Sequence, residues 1–117
     1  MKVLVTGATS LLGGAVVDRL TSRGDDVSVF QRRSGPTGVT EHLGDVADRT
    51  AVDRAVEGVS AIVHLAARVG VTGPWSAYEA ANVVGTQNII DAAQAFEVRR
   101  VVYVSSPSVA HHGDSLV

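Results

Sequence analysis

Apolar residues along this chain gather into short unbroken runs, separated by stretches in which they recur every three or four positions. Lys2–Thr6 (KVLVT) is one such run and ends at Gly7. Val27–Phe30 (VSVF), Ala61–Leu65 (AIVHL) and Val101–Val104 (VVYV) are three more, and a weaker one lies near Val39–Leu43. Continuous Val/Ile/Leu runs of this length predict strands covered on both faces. After the first run, Leu12, Ala15, Val16 and Leu20 fall at helical spacing, and Arg23-Gly24 closes that helix. Asp48 to Val56 predicts a short helix with Asp48 as its N-cap. A longer helix is predicted from about Ser76 to Phe96, with Val83, Ile89, Ile90, Ala93 and Phe96 as core positions. Gly35-Pro36 marks a loop between Gln31 and Gly38, and Gly70, Gly73 and Pro74 mark another between Arg68 and Pro74. Strand alternating with helix in this way predicts a single α/β domain over residues 1–117, built on a parallel sheet with right-handed crossovers.

Composition narrows the picture. Of the 117 residues, 45% are hydrophobic and only 4% aromatic, so the core has to be aliphatic. The net charge of −2 comes from interspersed acids and bases, which leaves no electrostatic footprint for nucleic acid or an anionic membrane. There are no cysteines, which excludes disulfides and thiolate metal sites. The apolar run Val3–Val5 near the N-terminus is too short for a signal-peptide core or a membrane span, so a cytoplasmic location is expected. His111 and His112 adjoin without a third ligand at metal spacing, and no metal site is expected.

The candidate chemistry begins in the turn after the first run, Val5-Thr6-Gly7-Ala8-Thr9-Ser10-Leu11-Leu12-Gly13-Gly14. Gly7 can adopt a reversal that side chains forbid. A small residue near Ser10 lets the backbone approach a pyrophosphate, which the helix N-terminal N–H groups attract. Gly13 lets the helix lie close on the strand. The plainer alternative is a tight strand–helix turn capped by Ser10.

This segment resembles the T-G-x-x-G-x-x-G fingerprint of the extended short-chain dehydrogenases/reductases, a family of epimerases, dehydratases and hydroxysteroid dehydrogenases. Thr6, Gly7 and Gly13 match, and Ser10 stands where the family has glycine. Further segments match in order. Gly44-Asp45-Val46 follows the third strand; His64-Leu65-Ala66-Ala67 resembles H-x-A-A; Asn82-Val83-Val84-Gly85-Thr86-Gln87-Asn88 resembles N-V-x-G-T-x-N. Val101–Ala110 (VVYVSSPSVA) resembles the strand that delivers the family's serine, in a form similar to 3β-hydroxysteroid dehydrogenase-like members.

The resemblance implies a doubly wound parallel sheet, the Rossmann fold, in strand order 3-2-1-4-5 and stopping after the fifth strand. It implies that Gly7, Ser10, Leu11, Leu12 and Gly13 hold the pyrophosphate of a dinucleotide, through amides presented by the turn from Gly7 to Gly13. Asp45 and Val46 would meet adenine, and Leu65, Ala66 and Ala67 would line the cofactor. Where NAD-binding members carry an acid at the end of the second strand, this chain has Gln31 followed by Arg32 and Arg33. Guanidinium groups bind a 2′-phosphate and a carboxylate repels it, so NADP is the expected cofactor, with NAD the alternative; solvated loop arginines are the plain reading. Asn82 and Ser106 take the catalytic positions, Ser106 touching the substrate oxygen. His64 is expected to be a hydrogen-bonded strand-end histidine without a proton-transfer role.

The family's proton donor is a tyrosine activated by a lysine four residues on. Tyr78 is followed at that spacing by Asn82, Tyr103 by Pro107, and the only lysine is Lys2. The expected activity, hydride transfer at a carbinol or ketone carbon, therefore belongs to a longer parent protein whose substrate-binding region is not in these residues. The 117-residue chain alone is expected to be inactive. A non-catalytic NADPH-binding redox sensor is the alternative. An unpaired fifth strand also predicts self-association.

Overall fold

Each predicted strand forms, and all five lie in one sheet. The computed structural model describes residues 1–7, 11–32, 34, 38–65 and 83–104. Its strands are β1 Lys2–Thr6, β2 Asp26–Gln31, β3 Thr40–Leu43, β4 Ala61–His64 and β5 Arg100–Tyr103. The helices described with them are α1 Leu11–Ser22, α2 Arg49–Val56 and α3 Gly85–Ala95. Every strand pair is parallel and the order is β3-β2-β1-β4-β5. The chain steps outward from β1 to β3, then returns across the sheet to β4. In sheets of this order ligands bind at the carboxyl ends of the strands that flank the reversal, here β1 and β4.

Alternation of side chains along each strand sorts the core into two layers. Leu4, Phe30 and Ile62 face α2 and α3, packing with Val52, Ala55, Val56, Ile89, Ala92 and Ala93. Val3, Val5, Val27, Val29 and Ala61 face α1, packing with Val17 and the half-buried Val16 and Leu20. Asp48 caps α2 as expected, its side chain accepting from the N–H groups of Thr50 and Ala51.

Two expectations are corrected. In the long helix, Ile89 and Ala93 are buried, whereas Val83, Ile90 and Phe96 are exposed. The buried face is Gly85, Ile89, Ala92 and Ala93, spaced i, i+4, i+7 and i+8. Ile90 sits one residue, about 100°, off that stripe, and Phe96 lies past the last turn as its C-cap. The proposed start of this helix, residues 76–82, lies outside the described residues; helical backbone is already present at Val84. The second correction concerns β5. Its residues are exposed throughout, because at the sheet edge no described helix packs substantially over its faces.

A buried polar joint ties the carboxyl ends of the strands together. The Thr6 hydroxyl lies 2.8 Å from His64 Nδ1 and accepts from the Leu65 N–H at 2.8 Å. His64 Nε2 lies 3.2 Å from Thr86 Oγ1 in the first turn of α3. A neutral imidazole donates at one ring nitrogen and accepts at the other, so it bridges the two threonine hydroxyls with one donating to the ring and the other accepting from it. The Tyr103 ring stands 5.6 Å from the imidazole, centroid to centroid, and the His64 carbonyl accepts from the Val104 N–H at 3.1 Å. The His64 side chain is 1% exposed, and burial pushes its pKa down from 6.5 to about 4. It is a neutral structural imidazole.

The turn after β3 is equally tight. The Gly44 N–H donates to the Gln31 carbonyl at 3.0 Å. A Cβ at Gly44 would lie 2.9 Å from the Ala51 methyl and 3.1 Å from Phe30 Cζ. Gly44→Ala is therefore expected to lower the unfolding free energy by about 1–3 kcal/mol in urea titrations, as overpacking does. A change below about 0.5 kcal/mol, the size of an ordinary surface substitution, would mean that α2 can yield. His64 gives a pH signature. The unfolded imidazole protonates near 6.5 and the folded one near 4, so the unfolded chain binds the proton first as pH falls. Stability held above pH 6.5 is lost on the way down to pH 4, by up to about 3 kcal/mol. The stability gap between the parent chain and His64→Gln is expected to narrow across that window; a constant gap would refute the low folded pKa.

Candidate functional site

Among the described residues singled out in the sequence, Gly7, Arg32, Asp45, Val46 and Leu65 follow the carboxyl ends of β1 to β4, and Leu11, Leu12 and Gly13 open α1. Gly7 follows Thr6 with φ of 77°, a left-handed conformation that favours glycine. Its N–H donates to the Phe30 carbonyl at 3.3 Å, continuing the ladder between β1 and β2. The first amide of the turn thus belongs to the sheet, which narrows the expected run of presented amides to those after Gly7. Residues 8–10, Ser10 among them, lie outside the described residues. Helix α1 starts at Leu11, with no acidic residue in its first turn, so nothing opposes an anion at the positive end of its dipole. Leu12 is exposed on that turn and Gly13 is buried.

At the end of β2, Gln31 is 5% exposed. Alternation with Val27 and Val29 puts its side chain on the α1 face of the sheet. Its Nε2 donates to Glu41 Oε2 at 2.7 Å, while its Oε1 is buried with no hydrogen-bond partner among the described residues. The Ser34 hydroxyl donates to the other Glu41 oxygen at 2.7 Å. Arg32 is exposed, and Arg33 lies outside the described residues.

After β3, Asp45 is exposed. Its Oδ1 accepts from the Ala47 N–H at 2.9 Å, and its carbonyl accepts from Asp48 at 2.8 Å. The Val46 side chain is part of the core, and its carbonyl accepts from Asn88 Nδ2 at 2.9 Å. Helix α3 therefore fixes the turn that carries Asp45 and Val46. At the end of β4, Leu65 is half-buried, and its N–H is engaged by Thr6. Ala66, Ala67, Asn82 and Ser106 lie outside the described residues.

Four contributing residues had no assigned role in the sequence reading: Thr6, Thr86 and Asn88, which tie the loops together, and Glu41. The first three lie inside the matched motifs, where their hydroxyl or amide was the available signal. Glu41 is in no motif, and its partnership with Gln31 depends on strand register. The described residues fit a dinucleotide: a left-handed glycine and a helix N-terminus follow β1, with no acidic residue in the first turn of that helix. Among the described residues, no helix is long and apolar enough to cross a membrane.

Comparison with known proteins agrees with this geometry. The chain is 44% identical over 115 residues to 2-alkyl-3-oxoalkanoate reductase of Stenotrophomonas maltophilia, a match covering 95% of the chain and 35% of that protein. It is 34% identical over 127 residues to 3-beta-hydroxysteroid dehydrogenase of Mycolicibacterium neoaurum, covering 99% of the chain and 35% of the relative. A crystal structure of a short-chain dehydrogenase/reductase superfamily protein from Agrobacterium tumefaciens with bound NAD superposes with a TM-score of 0.84 at 40% identity. That match covers 91% of this chain and 33% of the other. The chain thus spans about a third of the length of these relatives. Residues 3–116 match the model of the NAD-dependent epimerase/dehydratase family, to which this chain belongs.

Proposed function

We propose that this chain is the dinucleotide-binding part of a nicotinamide-dependent oxidoreductase or epimerase that acts at a carbinol or ketone carbon. The observation that carries the reading is the meeting, at one edge of the sheet, of Gly7 in its left-handed turn, the N-terminus of α1 and the Gly44-Asp45-Val46 turn. A dinucleotide bound there supplies the hydride chemistry. The protein's part is to hold it. Ser10, Leu11, Leu12 and Gly13 take the pyrophosphate by helix N–H groups and dipole. Asp45 and the Val46 backbone meet adenine, and Leu65, Ala66 and Ala67 leave room for the rest of the cofactor. Asn82 and Ser106 take the catalytic roles, Ser106 as the hydrogen-bond partner of the oxygen whose charge changes in the reaction. No Tyr-x-x-x-Lys occurs in these 117 residues, so proton relay in the parent enzyme falls to residues outside them. The redox-sensor alternative draws no support from the relatives, which carry the names of enzymes.

For the cofactor we favour NADPH. Arg32 is exposed beside the end of β2 and makes no salt bridge among the described residues, which suits a 2′-phosphate; Arg33 follows it in sequence. Calorimetric titration of the chain is expected to show tighter binding of NADPH than of NADH. Arg32→Ala is expected to weaken NADPH roughly tenfold, the size of one charged hydrogen bond, and to leave NADH unchanged. Equal or reversed affinities overturn the preference, and no binding of either at millimolar concentration overturns the dinucleotide reading. The exposed apolar residues of β5, Val101, Val102 and Tyr103, favour self-association through the sheet edge; a monomer by light scattering at high concentration would refute it.

A further inference from the structure

We infer that Asn88 is a positioning residue for base recognition: from α3 it pins the peptide between Val46 and Ala47, and the N–H of that peptide aims the Asp45 carboxylate. This rests on the dinucleotide reading and adds to it a residue from a distant part of the chain.

The Val46 carbonyl accepts from Asn88 Nδ2 at 2.9 Å, across 42 residues of sequence. A carbonyl oxygen only accepts, so the end of the Asn88 amide that meets it is the NH2 group. The same peptide unit is held at its other end, where the Ala47 N–H donates to Asp45 Oδ1 at 2.9 Å. In a planar trans peptide the C=O and N–H point in opposite directions. One rigid plane therefore links the Asn88 amide to the Asp45 carboxylate. Turning that plane over needs only ψ of Val46 and φ of Ala47 to change, and the buried Val46 side chain would stay where it is. Among the described residues, the Asn88 amide is the donor that opposes this flip from the carbonyl end.

The neighbouring peptide is held independently. The Asp45 carbonyl accepts from the Asp48 N–H at 2.8 Å, so the Val46 N–H of that unit keeps its direction with or without Asn88. The two groups assigned to adenine thus have separate supports. A backbone N–H serves a ring nitrogen, and Asp48 sets that one. A carboxylate only accepts, and the donor adenine offers it is the 6-amino group. Asp45 is exposed, so a base can reach it. With Oδ1 taken by Ala47, its carboxylate cannot turn freely, and the other oxygen has a fixed direction. Asn88 therefore governs the reading of the amino group and leaves the ring-nitrogen contact alone.

Calorimetric titration with ADP and with purine riboside diphosphate, which lacks only the 6-amino group, tests this. The unmodified chain is expected to bind ADP about tenfold more tightly, the size of one charged hydrogen bond. Asn88→Leu fills similar space without a donor. It is expected to weaken ADP to the level of purine riboside diphosphate, whose own affinity stays unchanged. Equal weakening of both probes, with their ratio preserved, would make Asn88 a brace for the fold alone and overturn the inference. Full retention of the ADP preference in Asn88→Leu would overturn it as well. ADP binding without preference in the unmodified chain removes this inference alone. Failure of ADP, NADH and NADPH all to bind removes the dinucleotide reading, and this inference with it. If Asn88→Leu does not fold, Asn88→Ala carries the comparison: a lost preference supports the inference and a retained one overturns it.

Discussion

The hydrogen bond between Thr6 and His64 is the constraint on which the carboxyl edge of this sheet depends. It joins residues 58 apart in sequence, and it does so where two parallel strands end and their loops must part. Thr6 is the last residue before the left-handed Gly7, so holding its hydroxyl sets where the first loop departs. The same hydroxyl takes the Leu65 N–H, which sets the departure of the loop after β4. Through Nε2 the imidazole reaches Thr86, so the start of α3 is placed by the same ring. A parallel sheet with aliphatic faces has little else to define its ends, because Val and Ile contacts tolerate small slides. Directional hydrogen bonds in a dry interior do not.

Desolvation makes the joint selective in a second way. A charged imidazole at this depth would lose its hydration and, among the described residues, gain no carboxylate; those it touches offer two hydroxyls and a tyrosine ring. The neutral ring both donates and accepts, which is what bridging two threonines requires. Histidine here acts as a two-headed connector, and its familiar catalytic chemistry is suppressed by the same burial that makes the connection strong.

Much of this was legible in the chain. The runs KVLVT, VSVF and AIVHL are strands because nearly every residue in them is buried on one face or the other. The Asp48 cap followed from local chemistry that tertiary contacts did not alter. The glycine of the first turn was identifiable because only a reversal needs it. What escaped the sequence was set by neighbours distant along the chain. Ile90 and Phe96 look like core residues until the Gly85–Ile89–Ala92–Ala93 stripe is seen to face α2. VVYV reads as a buried strand, yet lies at the edge with its side chains exposed. Glu41 looks like an ordinary surface acid on a short strand; its pairing with Gln31 depends on the parallel register that places it beside Val29. The bond of Asn88 to the Val46 carbonyl spans 42 residues and has no local signature beyond a polar residue on a helix.

The span of the Thr6–His64 contact also has a consequence for biosynthesis. A ribosome delivers β1, α1 and β2 well before β4 exists, and the imidazole that pairs with Thr6 ends that later strand. Until His64 and Thr86 have left the exit tunnel, the threonine hydroxyl before Gly7 faces water and the loop exits are unset. The loop exits are therefore fixed only once residues far downstream of Gly7 have been made.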